Sequence, residues 1–256
     1  MNLATQPKKQ IVIPQLAATG RFGNFKAEPE REVRKVSLER DNEIEVLKRM
    51  WEKISMDLER DYHFEVQNYS GAYAKILKMA RKSRYSAKDI CAFSLALPEF
   101  QGDAFFRIRA GIFLSALINN CKDQEFVIHT AHLPPIHFIG FDNKKNIVVE
   151  GDAGNRVGVG MKGGSIIVKG DAGMVIGGEM IDGTISILGN AGSHIGYFMQ
   201  GGSITVGKHA GTEVGRRMHA GEIRLNGGYD EIADYIQGGR IYHKRKLIWP
   251  RGGGSE

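Results

Sequence analysis

Between Ser37 and Asn120 apolar residues recur at three- and four-residue steps, the spacing of helices that bury one stripe. Ile44, Leu47, Trp51, Ile54 and Leu58 form the first stripe, and a second helix is predicted over 72–84 with Lys75, Lys78, Lys82 and Arg84 outward. Ser86 followed by Asp89 is the start signal of a third helix, which Pro98 ends. A fourth is predicted from Asp103 through Ile108, Ile112, Leu114, Leu117 and Ile118 to a stop at Asn119-Asn120. The period then changes. Phe126-Val127-Ile128 and Ile136-His137-Phe138-Ile139 have strand character on either side of Pro134-Pro135, and from Asn146 the chain alternates with a period of two.

That alternation sits inside a longer period. Residues 146–164 (NIVVEGDAGNRVGVGMKGG), 165–183 (SIIVKGDAGMVIGGEMIDG), 184–202 (TISILGNAGSHIGYFMQGG) and 203–221 (SITVGKHAGTEVGRRMHAG) are four rows of 19, and 222–239 is a degenerate copy one residue shorter. Ile147, Ile166, Ile185, Ile204, Ile223 and Ile241 fall in one column, and Val149, Val168, Ile187, Val206 and Leu225 fall two positions on, so both columns face the same way from a strand. Val157, Ile176, Ile195 and Val214 supply a second inward side, Met161, Met180, Met199 and Met218 a third, and Ala153, Ala172, Ala191 and Ala210 an inside corner. One row is therefore predicted to be one coil of a parallel β-helix, a solenoid of 19-residue coils. Its corners are the glycine columns Gly154, Gly173, Gly192, Gly211 and Gly158, Gly177, Gly196, Gly215, where a positive φ or a close backbone approach excludes a side chain.

Composition agrees with this division. Of the 33 glycines, 6 lie in residues 1–145 and 27 in residues 146–256. The predicted organisation is an extended basic arm over 1–36, broken by Pro7, Pro14 and Pro29, a helical N-terminal subdomain over 37–125, the β-helix over 126–249 and a flexible tail over 250–256. Charge is also uneven: residues 1–145 carry +5, residues 146–239 carry −3 and the last 17 carry +4. Basic ends invite an acidic partner, but no nucleic-acid reading motif or aromatic interleaving accompanies them. Two cysteines, Cys91 and Cys121, exclude a disulfide framework and read as buried thiols of a cytoplasmic protein. No apolar stretch approaches the ~20 residues of a membrane span.

The rows, with their shared G-[DN]-A-G-x-x-[VI]-G-x-x-M at 151–161, 170–180 and 189–199, resemble the GXGXG domain family. That family includes the β-helical subunit of formylmethanofuran dehydrogenase, its relative in formyltransferase/hydrolase complexes and the C-terminal domain of the glutamate synthase large subunit. The resemblance covers about residues 136–245 and none of residues 1–125. It implies a right-handed parallel β-helix and a non-catalytic role: a scaffold or assembly subunit that holds the catalytic parts of an oxidoreductase or one-carbon complex, with no cofactor of its own. The partners it implies are other protein subunits or further copies of the chain.

Other patterns carry competing chemistry. His129, His132 and His137 lie close together in HTAHLPPIHF, and three imidazoles gathered by the Pro134-Pro135 turn would make a metal site, the basis of an alternative reading as a metal-dependent enzyme. The opposing reading is a set of junction residues bonded to backbone. GxGxxG-like spacings would suggest a dinucleotide site, but no helix follows each glycine turn, so corner geometry accounts for them. Asp152, Asp171 and Asn190 stack in one column, a calcium ladder or a series of Asx turns, with turn chemistry preferred because Lys208 and His209 interrupt it. Glu213, Arg216, Arg217 and His219 gather on one coil as an anion contact or a salt-bridged corner, the latter preferred. Lys244-Arg245-Lys246 with Trp249 and Pro250 reads as a C-terminal cap with a basic contact patch.

Overall fold

A computed structural model describes residues 43–54, 67–103 and 105–250, all within one compact unit, Arg40–Glu256. The predicted arm 1–36, Leu58 and the tail after Pro250 lie outside the described residues. Helix α1 covers 43–52, followed by α2 (Gln67–Ala80), α3 (Ala87–Ala96), a 3-10 turn at Leu97–Phe100 and α4 (Phe106–Asn120). Strands follow as β1 (Glu125–His129), β2 (Asn146–Glu150), β3 (Lys162–Val168), β4 (Asp182–Ile187), β5 (Ser203–Val206), β6 (Glu222–Leu225), β7 (Arg240–His243) and β8 (Lys246–Trp249). They form one sheet in chain order, parallel from β1 to β7, with β8 folding back antiparallel on β7.

The register is that of a solenoid. The pairs β2–β3, β3–β4, β4–β5 and β5–β6 join residues 19 apart, as in Ile147↔Ile166 and Ile204↔Ile223, except at a bulge where Lys162 meets Asp182. The β1–β2 offset is 21 residues and the β6–β7 offset is 18. Residues 125–145 are thus a further coil, which the repeat does not reveal, and the solenoid has about six turns. Its first coil keeps one glycine column, with Gly140 at φ +76 in the place of Gly158, but has Pro135-Ile136 where later coils have Ala-Gly and Asn143 where they have methionine. Asn143 is buried and bonds Lys145 through both ends of its amide. Away from the strands, bridges Ala172↔Ala191↔Ala210↔Tyr229 continue the stacking along another side.

The predicted inward columns are all buried: the isoleucine column at 1% exposure or less, the second strand column likewise, and all four methionines at 0%. The two glycine columns do different things. Gly177 has φ +62, the left-handed region, as do its equivalents in the other rows. Gly173 has no such φ; a Cβ there would fall on Asn155 Oδ1 of the preceding coil, so its column exists for close stacking. Non-glycine residues also take left-handed backbone in two columns, at Arg156, Val175, His194, Glu213 and at Glu179, Phe198, Arg217.

The helices lie against the first coil and share its hydrophobic core. Trp51 of α1 is buried among Phe93, Phe100, Phe106 and Phe113, with ring centroids 5.2 to 6.2 Å away. The Ser86–Asp89 capping box forms as predicted. Helix α2 begins at Gln67 rather than 72 and stops at Ala80, where the chain tightens through Ser83 N–H to the Ala80 carbonyl at 3.0 Å. Helix α4 begins at Phe106 rather than Asp103, because the Asp103 carboxylate accepts from Trp51 Nε1 at 2.7 Å and pairs with Arg109 at 2.8 Å. Residues 110–118 of α4 are buried on every face, since α4 lies between the other helices and the solenoid.

That contact is polar as well as apolar. The Ser115 hydroxyl donates to the Phe138 carbonyl and accepts from the Gly140 and Phe141 amides at 2.9 and 3.1 Å. Asn119 donates to the Phe141 carbonyl and accepts from the Lys144 amide, and Ser94 accepts from the His129 amide. Backbone groups at the exposed end of a parallel stack have no further coil to pair with, and here helix side chains take that place. A Cβ at Gly111 would fall on the His137 carbonyl oxygen, so α4 reaches the coil only because that residue is glycine.

Candidate functional site

The three predicted histidines occupy three different settings. His129 ends β1, with its amide bonded to Ser94; His132 is exposed in the following turn; His137 is half-buried farther round the coil. His137 Nδ1 accepts the Asn155 amide at 2.9 Å, which commits that nitrogen and places the ring proton on Nε2. Burial, then the cationic Arg107 and Arg156, push its pKa down to about 4, so the ring is neutral at pH 7. The structure does not bring the three rings together: among the described residues no group of three or more His, Cys, Asp or Glu side chains is placed to hold a metal ion. His137 acts instead as a backbone acceptor between the first two coils.

The acidic column is a bonded ladder between coils rather than a set of local Asx turns. Asp152 accepts the Asp171 amide at 2.8 Å, Asp171 accepts the Asn190 amide at 2.7 Å, and Asn190 accepts the His209 amide at 3.2 Å, each bond spanning 19 residues. Asn190 Nδ2 also donates to both Asp171 carboxylate oxygens. Bonds from the Asn190 amide and then its side chain hold the Asp171 carboxyl below its ordinary pKa. The local reading failed because a 19-residue coil puts the next row's amide nearer than the residue's own turn.

Rings and guanidinium groups concentrate on one corner of the middle coils. Left-handed backbone at His194, Phe198 and Arg217 turns these side chains outward. Tyr197 and Phe198 meet edge-on at 4.6 Å, His194 meets Tyr197 at 6.0 Å, and His219 stacks on Phe198 at 6.4 Å. The Arg217 guanidinium lies 5.2 Å over the Phe198 ring. Arg216 is held by Glu213 at 3.1 Å, the salt-bridged corner predicted, while Arg217 and His219 are exposed and Tyr235 on the next coil is 59% exposed. Equivalent positions in the two earlier rows are Val159, Gly160, Gly178 and Glu179, so the ring cluster is a local departure from the repeat.

Reading the sequence did not single out Arg156. It is 6% exposed, in left-handed backbone, with its guanidinium 5.3 Å from the Phe138 ring; burial lowers its pKa, opposed by Tyr69 and Glu179. The only signal was an arginine in a column otherwise filled by Val175, His194 and Glu213. No helix among the described residues is long and apolar enough to cross a membrane. Cys91 and Cys121 are free thiols whose pKa values are raised by burial. No protein-family model matches the chain, and no curated protein matches it in sequence.

Proposed function

We propose that the protein is a non-catalytic scaffold or assembly subunit of the GXGXG type, holding enzyme subunits of an oxidoreductase or one-carbon complex along its solenoid. The observation that carries this reading is how the repeat is used: its columns supply core, corners and inter-coil bonds, while the residues that depart from it form a half-buried ring cluster, Tyr197 and Phe198 with His194, edged by the exposed Arg217 and His219. Aromatic and arginine side chains on a rigid frame are the residue types that dominate protein interfaces. Two free thiols, Cys121 buried and Cys91 only half-buried rather than buried as expected, suit a reducing cytoplasm.

The test is purification of the native protein with whatever accompanies it. Redox or one-carbon enzyme subunits at fixed stoichiometry are expected, and Phe198→Ala with Arg217→Ala is expected to weaken their retention by about 2 kcal/mol, roughly 30-fold. Recovery as an isolated monomer with no accompanying subunit would overturn the proposal.

A further inference from the structure

A marked charge asymmetry lies away from the ring cluster, on the helical layer. Residues 67–88 contain Lys75, Lys78, Arg81, Lys82, Arg84 and Lys88 and not one Asp or Glu. All six are exposed: Lys75 and Lys78 on α2, whose inward positions are taken by Tyr73, Ile76 and Ala80, then Arg81, Lys82 and Arg84 in the turn that follows and Lys88 on α3. Between the α2–α3 turn and the α4–β1 turn opens a groove of about 630 Å³, lined by Arg81, Arg84 and Lys122 with Ser83, Ser86 and Asp123. Asp123 already seats a carboxylate there: its Oδ2 accepts the Ala87 amide, at the start of α3, at 2.7 Å. Cys121 lies in the wall with its thiol pKa raised by burial, so it is packing rather than a nucleophile.

We propose that this groove and the lysine row of α2 form a docking surface for an acidic, carboxylate-rich segment of a partner protein. Naming a protein as the partner rests on the scaffold reading; the surface itself rests on charge and shape. Carboxylates fit better than a nucleic-acid backbone for two reasons. The rings beside the cations are turned inward, with the Tyr85 hydroxyl donating to the Leu117 carbonyl and the Tyr73 hydroxyl accepting from Asn119, so no base-stacking platform accompanies the charge. Lys75 and Lys78 lie within one turn of α2, about 5 Å of rise, and Lys82 follows in the turn beyond it, short for tracking a phosphate chain.

The test is fluorescence anisotropy of a labelled oligoglutamate peptide with the full-length protein, beside an oligothymidylate of equal charge. Saturable peptide binding is expected, weakened at least about tenfold by the combined Lys78→Glu, Lys82→Glu and Arg84→Glu substitutions. Lys162→Glu with Lys169→Glu, on the solenoid, is expected to leave it unchanged. Thermal melts establish that both variants stay folded. No saturable binding, equal weakening by both variants, or tighter binding of the oligothymidylate would each overturn the proposal. Native copurification separates it from the scaffold reading. A charge-reversed protein that keeps its enzyme subunits removes this docking site and leaves the scaffold. A wild-type protein that recovers none removes the scaffold, and the titration then judges the groove alone.

Discussion

At the scale of single residues the coil geometry imposes conformations that some side chains resist. Val175 is β-branched yet has φ +61, a backbone state that costs an L-residue about 1–2 kcal/mol. Asparagine tolerates that state, so Val175→Asn is expected to raise stability by about 1 kcal/mol, read as a higher urea midpoint at unchanged slope. A lower midpoint would mean that the methyl contacts of Val175 outweigh its strain. His137 makes a pH-dependent contribution. Its folded pKa of about 4 lies below the ordinary 6.5, so as pH falls the unfolded chain takes up this proton first. Stability is therefore complete above about 6.5 and lost as pH falls toward 4. The melting temperature of the wild type is expected to drop across that interval more steeply than that of His137→Asn, which keeps an acceptor for the Asn155 amide without a titrating ring.

Between elements, the junction of α4 with the first coil combines close approach and hydrogen bonding. Gly111→Ala drives a methyl into the His137 carbonyl and is expected to cost about 3 kcal/mol. Ser115→Ala strips the partner from the buried Gly140 and Phe141 amides and is expected to cost about 2–3 kcal/mol in chemical denaturation. A loss below about 0.5 kcal/mol for Ser115→Ala would show that water replaces the hydroxyl. None of this junction was legible from the residues. Neither Gly111 nor Ser115 carries a local signal, because the partners of both lie more than 20 residues away in a coil outside the four 19-residue rows. The helices themselves were legible wherever the signal is local. The Ser86–Asp89 box and the stripe through Leu47, Trp51 and Ile54 need only neighbours three or four positions away.

For the whole molecule, legibility follows repetition. Each inward column of the 19-residue rows was readable because four copies vote on every position, and each is buried. The first coil was hidden because it has 21 residues and a single copy, and the ring cluster's importance was muted because it is what the columns do not share. Stacked coils bond mainly to their neighbours, so rows are interchangeable parts. Deleting residues 165–183 joins Gly164 to Thr184 with every column in phase, and such a protein is expected to melt cooperatively at a somewhat lower temperature by circular dichroism. Deleting 165–174 puts the columns out of phase and is expected to abolish the cooperative transition. Interchangeable parts also carry a hazard. A folding chain with four alike rows has several ways to stack them one coil out of place, each burying nearly the same surface. The unequal ends remove that ambiguity: a 21-residue coil that fits only the helices, and an 18-residue coil that fits only the closing hairpin, leave a slipped chain with a row too many or too few. The irregular coils thus serve as start and stop marks that number the identical ones between them.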